Sequence, residues 1–207
     1  MTQHPTTLSD RVRALTNGLM TRVGQALAGL GISANAITIG GLVLVAVAAV
    51  YIGRGQLQLG GLILILGLPM DALDGAVARA TNQKSRFGEM LDSTLDRYAD
   101  GLIFSALSYH FAVQDQYGLM LLALAALLGS FMVSYTRARA EGVDVVVKVG
   151  LFTRLERVVV ILIMLLQPDA LGLPVLEVGL VLLAVGTNIT GVQRLWFVYK
   201  ALKTTER

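Results

Sequence analysis

The chain has 207 residues, 55% hydrophobic and only 15% charged, with 22 glycines, no cysteine and a mean hydropathy of +0.67. A soluble domain carries about 25% charged residues and about 7% glycine, so this composition excludes an ordinary globular enzyme and points to helices packed closely in lipid. The lack of cysteine excludes a disulfide framework and any thiolate ligand or nucleophile, and a net charge of +3 is too modest to suggest a nucleic-acid partner.

In chain order, residues 1–30 form a cytoplasmic leader. Within it Leu8, Val12, Leu15, Leu19, Val23, Leu27 and Leu30 recur at helical spacing, with Arg11, Arg13 and Arg22 off the stripe. That pattern predicts a basic amphipathic helix over 7–30, lying on an anionic leaflet rather than being cleaved as a signal peptide. Apolar runs follow at 37–53, 57–70, 101–113, 118–135, 158–167 and 173–189. A crossing needs about 20 residues, so the shorter runs must continue as helix into polar flanks. The fold class is therefore an all-α integral membrane protein: six transmembrane helices over 31–207, preceded by the interfacial helix. With the N-terminus inside, every basic residue of the 17 except Arg54 falls in a cytoplasmic segment. The positive-inside rule then puts both termini, and the face they share, on the cytoplasmic side of the cell membrane.

Acidic residues crowd one stretch: Asp71, Asp74, Glu89, Asp92, Asp96 and Asp100. Asp71 and Asp74 are spaced i, i+3 and Asp92 and Asp96 i, i+4, so each pair shares one helix face. An aspartate at a helix centre costs about 2.5 to 3.5 kcal/mol on insertion scales, so carboxylates recessed toward lipid need a cation or a wet cavity. Ligation by carboxylates without His or Cys suits Mg²⁺ or Mn²⁺, not zinc or copper. His4 lies in the leader and His110 in the 101–113 run, both away from this cluster. A divalent-cation or ion-coupled transporter is the alternative from another class. Against it, the acids keep to one side and have no counterpart near the outer half.

The same stretch reads Asp71, two residues, Asp74, Gly75, two residues, Ala78, Arg79, eight residues, Gly88, three residues, Asp92, three residues, Asp96. It resembles the full signature of the CDP-alcohol phosphotransferases (CDP-alcohol phosphatidyltransferases). The resemblance implies displacement of CMP from a CDP-diacylglycerol-type lipid by the hydroxyl of an alcohol. Asp71, Asp74, Asp92 and Asp96 would hold Mg²⁺ or Mn²⁺, two ions in all, and Asp96 would also be the general base. Asp71, Asp74, Gly75, Ala78, Arg79, Gly88 and Asp92 would bind the nucleotide end of the donor, and the enzyme would be a homodimer.

A second cluster bears on the acceptor. Ser134, Arg137 and Arg139 close the 118–135 run, Arg154 and Arg157 open the 158–167 run, and Arg194 follows the last run. Arginine forks match phosphate, so these residues predict a phosphorylated polyol acceptor. The stretches SYTRARAEG at 134–142 and GLFTRLER at 150–157 resemble the phosphatidylinositol phosphate synthase branch, archaeal enzymes included, although that branch often has lysine where this chain has Arg137. Inositol 1-phosphate is thus the expected acceptor, with either Arg154 or Arg157 on its phosphate. Glycerol 3-phosphate, as in phosphatidylglycerophosphate synthases, is the alternative.

Overall fold

The computed structural model describes residues 8–67, 70–81, 85–169 and 172–205; within these, the side chains of 8–17, 19, 71, 72 and 205 lie outside the description. Eight helices and no strand occur among the described residues: α1 (Leu8–Gly29), α2 (Ala34–Gly53), α3 (Leu57–Gly67), α4 (Met70–Ala80), α5 (Arg86–Ala112), α6 (Tyr117–Glu141), α7 (Arg154–Leu166) and α8 (Val175–Thr205). Among the described residues, α2, α6 and α8 are long and apolar enough to cross a membrane unaided. Large apolar side chains on them face outward: Val43, Leu128, Val185 and Val192 are each more than half exposed. Exposed apolar surface on this scale is what a lipid-facing helix presents.

The apolar run expected at 57–70 appears as α3, and α4 is described from Met70 onward, with residues 68 and 69 outside the description. Asp71 and Asp74 lie in the first part of α4. The prediction that short runs extend into polar flanks holds for α5, whose 27 residues begin well before the apolar stretch at Gly101. At about 1.5 Å per residue, α7 with its 13 residues reaches only about 20 Å.

Two compact units divide the chain. The first comprises residues 1–44 and 65–96, the second 45–64 and 97–207. In the first, Ile37, Leu73 and Val77 form a small core that Met20, Leu27, Ala28 and Met70 cover. α1 lies directly on α4: a Cβ added at Gly24 would come 2.6 Å from the Ala76 Cβ and 2.9 Å from its carbonyl carbon. The helical periodicity of 7–30 thus appears as helix α1, and the described part of that helix packs on α4.

The second unit has the larger core, with Phe104, Leu107 and Phe111 of α5, Ile161, Met164 and Leu165 of α7, and Leu180 and Leu183 of α8. Glycines let its helices approach. A Cβ at Gly179 would come 2.8 Å from the Met164 Cβ, and Gly129 of α6 lies against Thr187 and Asn188 of α8. Asn188 donates to the Ala125 carbonyl across that seam at 2.9 Å.

Gly24→Ala should lower the stability of the detergent-solubilised protein by about 1–3 kcal/mol, because overpacking at a backbone contact forces the helices apart. A thermal melt checks this; an unchanged midpoint would mean that α1 does not rest on α4.

Candidate functional site

The first unit gathers the aspartate signature with the start of α2. Asp74 is 8% exposed, and its Oδ2 accepts a 2.8 Å hydrogen bond from the Thr38 hydroxyl on α2. Asp92 and Asp96 are half-buried one turn apart on α5. Asp71 occupies the first turn of α4, and its side chain lies outside the described residues. Among the described residues no three of His, Cys, Asp and Glu assemble into a metal-holding group. The donor set nonetheless fits a hard cation. Carboxylate oxygens with a hydroxyl beside them are hard donors, and neither His nor Cys stands in the stretch from Asp71 to Asp96.

The small residues of the signature have distinct neighbours. A Cβ at Gly75 would lie 3.4 Å from Nη1 of Arg79, so the exposed guanidinium folds back over the glycine. At Gly88 a Cβ would lie 3.1 Å from the Ser85 hydroxyl and 3.4 Å from Oδ1 of Asn35. Ser85 caps α5 by accepting the Gly88 N–H at 2.9 Å. Ala78 is half-buried on α4. Thr38 and Asn35 were not singled out from the sequence, although two polar residues at i, i+3 in an otherwise apolar helix start were a visible signal.

In the second unit the acceptor cluster separates by role. Arg157 and Arg194 are buried, at 3% and 5% exposure, and both are engaged. Nη2 of Arg157 donates to Oδ2 of Asp100 at 2.8 Å. Arg194 donates from Nε to the Val149 carbonyl at 2.9 Å and from Nη1 to the Val133 carbonyl at 2.8 Å. It thereby ties the end of α6 and the loop before α7 to α8. The loop meets it closely at Gly150, whose φ of +132 and whose would-be Cβ, 2.5 Å from Thr190 Cγ2, exclude any side chain.

Arg137 and Arg157 lie near enough to Arg194 for their charges to act on it. Arg137 is exposed and holds Glu141 at 3.2 Å, a surface pair of small worth. Arg139 is exposed, whereas Ser134 and Arg154 are half-buried. At the start of α7 the Thr153 hydroxyl donates to Glu156. Glu156 therefore leans toward its own helix cap. The geometry thus brings Arg137, Arg157 and Arg194 to one end of the second unit and divides the six predicted acceptor residues into a buried pair and four at least partly open to solvent.

Known proteins resemble this chain along most of its length. The profile of the CDP-alcohol phosphatidyltransferase family matches residues 31–191. An archaetidylinositol phosphate synthase from Pyrococcus horikoshii is 36% identical over 198 residues, covering 95% of this chain and 98% of that one. A phosphatidylinositol phosphate synthase from Mycobacterium tuberculosis is 33% identical over 201 residues, covering 94% and 92%. The crystal structure of the M. tuberculosis synthase with CDP-DAG bound superposes with a TM-score of 0.81, over 87% of this chain and 93% of that chain. Its complex with manganese and citrate gives the same TM-score over 87% and 88%. The chain belongs to the CDP-alcohol phosphatidyltransferase family. It is a membrane-helix transferase of phospholipid biosynthesis.

Asp100→Ala should destabilise the protein by about 3–5 kcal/mol, since it strands the buried Arg157 charge, and Asp100→Ala with Arg157→Leu should restore most of the loss. Thermal melts of the two variants test the pair; equal destabilisation by single and double variants would deny its importance.

Proposed function

We propose that the protein transfers the phosphatidyl or archaetidyl group of a CDP-activated lipid to a hydroxyl of inositol 1-phosphate, releasing CMP. The observation that carries this reading is the intact signature on α4 and α5 of one unit, together with a cluster of arginines, part of it buried and held in place, in the other. The named relatives and the CDP-DAG-bound neighbour support the same chemistry.

Asp71, Asp74, Asp92 and Asp96 are the residues that hold divalent cations, Mg²⁺ or Mn²⁺, and the manganese-bound neighbour supports that choice of metal. Such ions, when bound, neutralise the pyrophosphate and stabilise the charge developing on the departing CMP. Thr38 orients Asp74 through its hydrogen bond. Asp96 accepts the proton of the attacking hydroxyl. The acceptor oxygen forms a bond to the lipid-linked phosphorus as that phosphorus loses its bond to CMP, and CMP leaves with the electron pair. Gly75, Ala78 and Gly88 keep the nucleotide side free of bulk, and Arg79 lies across Gly75 where a phosphate oxygen can use it. Ser134, Arg137, Arg139 and Arg154 contact the acceptor phosphate. The buried Arg157 and Arg194 add positive potential and hold the frame.

Six crossings, by α2, by α3 with α4, and by α5, α6, α7 and α8, bring both termini and the aspartates to the cytoplasmic side, as the distribution of basic residues favours. In this reading α1 rests at the interface and two copies pair as a homodimer, as the family resemblance implies.

Purified protein with Mg²⁺ and CDP-diacylglycerol should release CMP when inositol 1-phosphate is supplied, and chelation should stop it. Faster release with glycerol 3-phosphate would transfer the assignment to phosphatidylglycerophosphate synthesis, and no release with any alcohol would overturn it. Asp96→Asn should abolish turnover while leaving donor binding within a few-fold of the parent by calorimetry. Parallel loss of binding would assign Asp96 to ligation alone.

A further inference from the structure

The C-terminal part of α8 carries a feature that the transferase chemistry does not use. Trp196, Tyr199, Lys200 and Lys203 follow i, i+3, i+4, i+7 spacing and so share one strip of the helix. The indole and phenol rings stack at 5.4 Å with a 30° interplanar angle. The Lys200 ammonium lies 5.3 Å from the Trp196 ring centroid, and that of Lys203 lies 5.7 Å from the Tyr199 centroid. Each amine is thereby held over a ring by cation–π attraction rather than left to wander.

Beside this strip is an open groove of about 500 Å³. Val149, Gly150 and Leu151 line it from the loop before α7, and Trp196, Phe197 and Lys200 line it from α8. Its wall is mostly apolar, and among the described residues its only charged lining side chain is Lys200. Leu151 is 69% exposed and Trp196 57%, surfaces that water would disfavour. Depth agrees. Starting at Val175, α8 crosses a hydrocarbon core of about 30 Å in about 20 residues, which brings Trp196 to the core's far boundary. Tryptophan and tyrosine prefer that level, and lysines just beyond it meet headgroups.

We propose that this groove binds one anionic phospholipid of the surrounding leaflet. An acyl chain lies against Val149, Leu151 and Phe197, and the headgroup phosphate rests on the ammonium groups of Lys200 and Lys203. The occupant follows from charge and shape together: an apolar slot opening at two fixed positive charges matches a lipid that joins a hydrocarbon chain to a negative head. A zwitterionic lipid satisfies the slot but brings its own cation to the lysines. The site depends neither on the acceptor's identity nor on the aspartates.

The chain contains a single tryptophan, Trp196, so in a vesicle holding no other protein the emission comes from this groove. In proteoliposomes of the full-length protein, phosphatidylglycerol brominated on its acyl chains should quench that emission at lower mole fraction than equally brominated phosphatidylcholine. Lys200→Gln should weaken the phosphatidylglycerol preference about five-fold, the effect of one basic side chain at an anionic lipid surface. Lys200→Arg should retain it, which separates loss of charge from loss of fold. Equal quenching by both lipids, or a preference unmoved by Lys200→Gln together with Lys203→Gln, would reduce the site to ordinary boundary lipid. Insensitivity to either lipid would show that a second copy of the chain covers the groove, and would overturn the proposal.

Discussion

Negative charge inside an apolar helical protein is the constraint around which this molecule is built. An ionised carboxylate removed from water costs several kcal/mol unless something answers it. The chain answers in two ways. Asp100 is paired at 2.8 Å with a buried arginine, charge against charge inside the protein. Asp74, also buried, accepts the Thr38 hydroxyl on its Oδ2 and stands in the stretch where Asp71, Asp92 and Asp96 recur at helical spacing. The first arrangement is architecture, and the second lies within the residues that the family profile covers.

The arginines divide along the same line. Arg157 and Arg194 are spent on Asp100 and on two backbone carbonyls, so they fix the fold of the second unit while lending it positive potential. Arg137 and Arg139 stand in solvent, Arg137 beside Glu141. A cluster of like charges is tolerable because its buried members have partners inside the protein and its exposed ones are screened by water and salt.

What could be read from the amino acids was whatever local spacing encodes. The helical stripe of 7–30, the extension of α5 beyond its apolar run and the two aspartate pairs all depend on neighbours three or four residues away, and they appear in the structure as helices α1, α4 and α5. Long-range partners were not legible. Asp100 and Arg157 stand 57 positions apart, and Thr38 and Asp74 stand 36 apart. Arg194 escaped for a different reason: its acceptors are main-chain oxygens of Val133 and Val149, and a carbonyl leaves no trace in the identity of the residue that carries it. Sequence spacing therefore picked out the basic cluster without revealing the long-range partners of its buried members.

The seam between α6 and α8 has a consequence for the lipid around it. Gly129 lies against Thr187 and Asn188, whose side chains bond to the carbonyls of Leu183, Ala184 and Ala125. Polar groups satisfied inside such a seam ask nothing of the hydrocarbon outside, which is what keeps two helices joined where no water is present to push them together.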